Sequence, residues 1–152
     1  MKQLLKKMAI TLVLAALCLC FASCEDIPAP TEKTVNVYVS AGEQTFEFTL
    51  TADVSTIEDV VVELAKENEN FTYVAPDGDY GLFITEMCGF AVTGSQWWGV
   101  NTDTIKTDAD GNATNVFVEY TTEYKGKTYY STATGISSYV VTDGETILFV
   151  LN

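Results

Sequence analysis

The period of the apolar residues changes early in the chain, and that change decides what the chain can build. Val35, Val37 and Val39 alternate in "TVNVYVS", and Phe46, Phe48 and Leu50 alternate in "TFEFTLT". A period of two places each set on one face of a β-strand, and the "AGEQ" between them supplies a turn, so a hairpin is expected. Ile57, Val60, Val61, Leu64 and Ala65 then recur at i, i+3, i+4, i+7 and i+8, which is one apolar stripe along a helix. Ser55 and Glu58 have capping-box spacing, and Glu58 with Asp59 suits the positive end of the helix dipole. The polar "KENEN" ends the helix.

Beyond the helix every signal is β. "FTYVA" reads as a short strand and "PDGDYG" as a turn. "YGLFITEM" is expected as one strand with Leu82, Ile84 and Glu86 on its inner face against Phe83, Thr85 and Met87. "NVFVEYTTEYKGKTYYST" is expected as a hairpin turning at "KGK", and "ETILFVL" as a final strand after the turn signal "TDGE". One helix among many short strands specifies an α+β domain, with the helix packed on one side of a mainly antiparallel sheet.

The domain is expected over residues 35–152. Ahead of it, Lys2, Lys6 and Lys7 precede the apolar run "MAITLVLAALCLCFA", the layout of a secretory signal peptide over 1–23. "FASC" places small residues before Cys24, as a bacterial lipoprotein cleavage box requires, so Cys24 is read as the lipidated first residue, with Phe21 where leucine is usual. Glu25 and Asp26 follow at once, a pair that resembles an export signal for the outer face of the outer membrane in some Gram-negative lipoproteins. Residues 24–34, with Pro28 and Pro30, read as a solvated tether.

This processing changes the meaning of the cysteines. Cys18 and Cys20 leave with the leader and Cys24 carries lipid, so Cys88 alone remains in the domain and no internal disulfide can form. The 129 residues from Cys24 onward must hold together by burial, which a chain of this size achieves by hiding about two-thirds of its unfolded surface. Removing Lys2, Lys6 and Lys7 from the eight basic residues leaves five against 21 acidic ones, a formal charge of −16. Such a surface repels phosphate backbones, which excludes nucleic acid, and anionic membrane surfaces, so the membrane is met through the lipid alone.

Residues near the middle and the end carry a resemblance. "YGLFITEMCGF", the "WW" of residues 97–98 and "GISSYVVTDGETILFVL" resemble the small β-rich C-terminal domain of the vitamin B12 carriers transcobalamin and intrinsic factor, a domain also found in bacterial surface proteins. The closing motif through Gly135, Ile136, Tyr139, Asp143, Gly144 and Ile147 is the nearest match, and the similarity spans roughly 35–152. The resemblance implies that Phe90, Trp97, Trp98 and Asn101, with Tyr139 nearby, face a corrinoid. Two departures stand beside it. The carriers own a large helical domain that supplies the other half of the vitamin site, and the stretch 102–134 is longer than the connection usual there.

The residues themselves are compatible with that implication. Alternation puts Trp98 inside with Val100 and leaves Trp97 outside, beside Gly94 and Gly99, which would let a flat guest approach the backbone. Packing of Trp97 under the long insertion, and of Tyr139 as a buttress of the last turn, are the structural alternatives. Histidine is absent from the whole chain, which removes histidine-based nucleophilic machinery and any histidine bond to cobalt. Cys88 has no basic partner and reads as a small apolar residue. "DADGN" fails the EF-hand spacing, because positions one and twelve fall on Lys106 and Phe117, so Asp108, Asp110 and Asn112 read as turn residues. Glycosidase chemistry needs only paired carboxylates, yet nothing in the pattern marks a long substrate groove.

The chain is thus expected to be a non-catalytic, lipid-anchored surface protein of the outer membrane, without metal or cofactor of its own. It would capture vitamin B12 or a relative and pass it to an outer-membrane transporter, alone or with a second surface lipoprotein. The competing expectation is a protein- or glycan-interaction module built on the same aromatic edge.

Overall fold

The computed structural model describes residues 27–78 and 81–152. The expected leader and Cys24 lie outside them. β1 (Thr31–Ala41) and β2 (Gln44–Val54) form the expected hairpin, in register from Thr31↔Val54 to Ala41↔Gln44. Its two-residue turn places Gly42 at φ 62°, a left-handed backbone that glycine takes without steric cost. β1 begins ahead of the expected Val35 because β2 runs long enough to pair with the end of the tether, and the Ser55 hydroxyl donates to the Pro28 carbonyl at 2.5 Å.

α1 (Ile57–Glu67) buries Ile57, Val60, Val61 and Leu64, the expected stripe. Its capping box sits one residue later than the sequence spacing suggested. Thr56 is the N-cap and its hydroxyl accepts from the Asp59 N–H at 3.3 Å, while the Asp59 carboxylate accepts from the Thr56 and Ser55 N–H groups, each at 2.9 Å. Ser55 is unavailable as the cap because its hydroxyl is committed to Pro28. The next donors go to the closing motif: Ile57 N–H to the Tyr139 carbonyl at 3.1 Å and Glu58 N–H to that of Ile136 at 3.0 Å. The segment 135–141 therefore satisfies the helix start, whose first N–H groups have no partner within the helix.

Five two-residue strands follow: β3 (Tyr73–Val74), β4 (Asp77–Gly78), β5 (Gly81–Leu82), β6 (Glu86–Met87) and β7 (Phe90–Ala91). β4 pairs with β5, while β6 lies between β3 and β7. The stretch "YGLFITEM" is consequently not one strand. The chain changes partners at residues 83–85, which resets the alternation. Ile84 is buried as expected, but Met87, expected on the other face, is buried too and Glu86 is only half-buried.

The main sheet adds β8 (Trp98–Thr102), β9 (Val116–Tyr124), β10 (Lys127–Thr132) and β11 (Thr146–Leu151), in the order β2-β1-β11-β8-β10-β9. Every pairing is antiparallel except β1 with β11. Opposed residues share a face, so Phe46, Val39, Phe149 and Val100 form one row across four strands. This face packs on α1 and the three-stranded sheet, where Val35, Val37, Val39, Ile147 and Phe149 reach zero exposure. Each such side chain contributes about 1.5–3 kcal/mol by leaving water. Leu148 points the other way and is also fully buried. The β9–β10 hairpin curls over it, bringing Tyr124 to 5.6 Å from the Tyr38 ring and Lys125 into an ion pair with Glu47.

Candidate functional site

Two segments of backbone deliver the tryptophan pair. The Thr93–Gln96 turn is tied by Gln96 N–H to the Thr93 carbonyl at 3.1 Å, and the Gln96 amide oxygen accepts from the Thr93 hydroxyl at 2.6 Å. Gly94 takes φ 60° at its apex, so its requirement is conformational. Immediately after it Trp97 joins the end of the sheet, with the Asn152 N–H donating to the Trp97 carbonyl at 3.0 Å.

The side chains then part as alternation requires. Trp98 is 6% exposed and packs with the core opposite Leu151, whereas Trp97 is 53% exposed. The long insertion does not cover Trp97. The indole Nε1–H of Trp98 is buried and has no acceptor within reach in the protein.

Trp97 stands between two hollows. One, of about 360 Å³, lies on the helix side of the sheet and is lined by Trp98, Val100, Leu82, Phe83, Gly135 and Ile136 as well as by Trp97. The other, of about 400 Å³, lies on the opposite face, where Trp97, Gly99, Asn101, Ser131, Tyr120 and Asn152 line it. They meet where β10 leaves β8: β11 pairs with β8 over all of Trp98–Thr102, but β10 pairs only with Asn101 and Thr102. Each volume falls within the range of small-molecule sites, about 300–1,000 Å³. Among the described residues no lysine or arginine lines either hollow.

Gly99 serves the site differently from the expectation. A Cβ there would come within 2.7 Å of the Asn152 amide nitrogen, so the space beside this glycine already holds a polar side chain of the protein. Asn101 is 5% exposed, and its amide donates to the Leu148 carbonyl at 3.3 Å. It forms part of the second hollow's wall more than its rim.

The structure does not bring Phe90 and Tyr139 to this place. Phe90 belongs to β7 in the small sheet, half-buried, with its ring 6.1 Å from that of Phe46. Tyr139 is 1% exposed, under the helix start. Its hydroxyl donates to Glu145 at 2.6 Å and accepts from the Asn115 amide at 2.7 Å. Burial, with the nearby Glu145, pushes the Tyr139 hydroxyl pKa far above its usual value. Glu145, itself fully buried, also accepts from Thr102 and from the Thr142 N–H at 2.7 Å and hydroxyl at 2.9 Å. This carboxylate is the centre of a lock that holds the closing motif against β8 and the insertion. The turn signal "TDGE" gave no sign of it.

The remaining candidates are structural in geometry. Asp108 accepts from the Asp110 and Asn112 N–H groups at 2.9 and 2.8 Å, the expected tight turn, and its carboxyl is held below the usual range by Asn112. Among the described residues no group of three or more acidic or cysteine side chains could hold a metal. Cys88 is half-buried in the turn between β6 and β7, and burial pushes its thiol pKa up, away from the reactive thiolate.

No protein-family model matches the chain, and no curated protein matches it. Solved structures do. A Ruminococcus gnavus ATCC 29149 protein provisionally described as metal binding superposes with a TM-score of 0.53 at 22% identity, over 80% of this chain and 97% of that one. Haptocorrin in complex with Cbi superposes with a TM-score of 0.57 at 17% identity, over 88% of this chain. The chain spans 28% of haptocorrin's length. At these identities the likeness is one of fold, and the resemblance to the B12-carrier β-domain holds at that level: this chain folds as a mainly β α+β domain similar to part of haptocorrin.

Proposed function

We propose that the domain binds a corrinoid against Trp97, as the capture part of a lipid-anchored surface protein that hands the vitamin to an outer-membrane transporter. The observation that carries this is a half-exposed indole on fixed backbone between two hollows, on a fold similar to that of haptocorrin captured with Cbi. A corrin ring offers a broad apolar face rimmed by amides. The indole plane packs on the face, while Asn152 and Ser131 offer hydrogen bonds to the rim. Without histidine in the chain, the guest is held by periphery and faces and not through its metal. Binding needs no chemistry.

Isothermal titration of a soluble form starting at Glu25 with cyanocobalamin tests this. Binding at micromolar or tighter, about −8 kcal/mol or better, lost in a folded Trp97→Ala variant, supports it. Absence of heat at tens of micromolar for cyanocobalamin and for dicyanocobinamide sinks it, and favours the interaction module.

A further inference from the structure

We infer that the insertion supplies a second wall of this site, with Tyr120 and Glu119 on a bulge of β9 gripping the guest opposite Trp97; the inference rests on the corrinoid proposal above. The register of β9 against β10 jumps: Tyr130 pairs with Thr121, but the next residue, Ser131, pairs with Phe117. Val118, Glu119 and Tyr120 are left without partners and stand out from the sheet. The bulge is braced, since both flanks are paired and the Phe117 and Tyr120 rings meet edge to face at 6.0 Å.

Its surface is unlike an ordinary sheet edge. Edge strands are usually protected by charge, because unpaired backbone invites association. This one exposes Phe117, Val118 and Tyr120 alongside its Glu119 and Glu123. A single exposed apolar residue means little, but a cluster marks a contact surface. Of the eight large hydrophobic side chains exposed among the described residues, six line the two hollows beside Trp97 and a third, of about 690 Å³, on the far side of the bulge. The second and third hollows meet at Glu119. Bulges commonly re-aim side chains next to binding sites.

The geometry also sets the chemistry of the guest. β8 and β9 lie on either side of β10, so their walls stand about 10 Å apart, two strand spacings. Trp97 and Tyr120 reach the same hollow from these two sides, over a floor that includes Ser131 and Gly99. Glu119 is the one charged residue lining it among the described residues. A flat guest with neutral or cationic N–H donors on its rim fits, since a carboxylate accepts such donors strongly. An anionic guest meets an uncompensated like charge.

The test is calorimetric titration of the soluble protein with neutral cyanocobalamin and with its monocarboxylate derivative. Tyr120→Ala should weaken cyanocobalamin binding by about three- to tenfold, the loss of one aromatic contact. Glu119→Gln should narrow the preference for the neutral over the anionic compound, while Glu123→Gln, at an exposed position beyond the bulge, leaves it unchanged. All three residues are exposed, so an unchanged thermal midpoint is expected and verifies folding. If Tyr120→Ala and Glu119→Gln bind both compounds as the unmodified protein does while Trp97→Ala loses binding, the second wall is refuted and the Trp97 site survives. If the unmodified protein binds neither compound, both fall together.

Discussion

Replacing Tyr139 with phenylalanine separates the interior of this domain from its site. The substitution keeps the ring, 1% exposed beneath the helix start, and deletes the hydroxyl that donates to Glu145 at 2.6 Å and accepts from Asn115 at 2.7 Å. Glu145 retains Thr102 and Thr142, and Asn115 retains the Thr104 carbonyl at 2.9 Å, so neither partner is wholly orphaned. A buried hydrogen bond to a charged acceptor is worth about 1.5–3 kcal/mol, and the loss should fall in that range. Equilibrium unfolding in urea measures it as a lower midpoint at unchanged slope. Cyanocobalamin affinity should be unaltered. A destabilisation below about 0.5 kcal/mol, the level of an ordinary surface change, would refute the lock around Glu145. Lost affinity in a stable variant would return Tyr139 to the ligand face where the family resemblance placed it.

Other outcomes follow from the same geometry. Because the folded Tyr139 hydroxyl has a raised pKa, the unfolded chain gives up this proton first, and stability present below about pH 10 is lost as pH rises further. Lys106, whose ammonium burial pushes down, acts in the opposite sense, so the clean readout is the stability gap between the unmodified protein and Tyr139→Phe. That gap should narrow by about 1 kcal/mol between pH 8 and 11. Trp98→Ala should cost about 3–5 kcal/mol by emptying core volume, whereas Trp97→Ala should leave the urea midpoint in place. Gly144, at φ 78° with its N–H on the Thr34 carbonyl at 2.8 Å, should resist alanine: about 1–2 kcal/mol lost in denaturation.

What the chain's pattern revealed depended on how local the cause was. The β1–β2 hairpin, the α1 stripe, the "KGK" turn and the opposed fates of Trp97 and Trp98 all follow from short-range periodicity, and the structure has them. The failures have long-range causes. Ser55 was displaced as the cap by a bond to Pro28, 27 residues away. "YGLFITEM" broke because its two ends pair with different strands. Tyr139 and Glu145 bind each other and Thr102, a contact that no spacing announces. For the bulge one clue existed: Phe117 breaks the alternation in which Val116, Val118, Tyr120 and Tyr124 oppose Glu119, Thr121 and Glu123. Composition alone cannot separate that from a fully buried strand.

The two indole Nε1–H resonances offer the most direct test of a guest resting on Trp97, since the chain has two tryptophans. In a nitrogen-15 correlation spectrum of the soluble protein titrated with cyanocobalamin, the signal assigned through Trp97→Phe should shift and saturate with added ligand. If neither indole signal moves at ligand concentrations well above the micromolar range, no corrinoid rests against this indole and the account is contradicted.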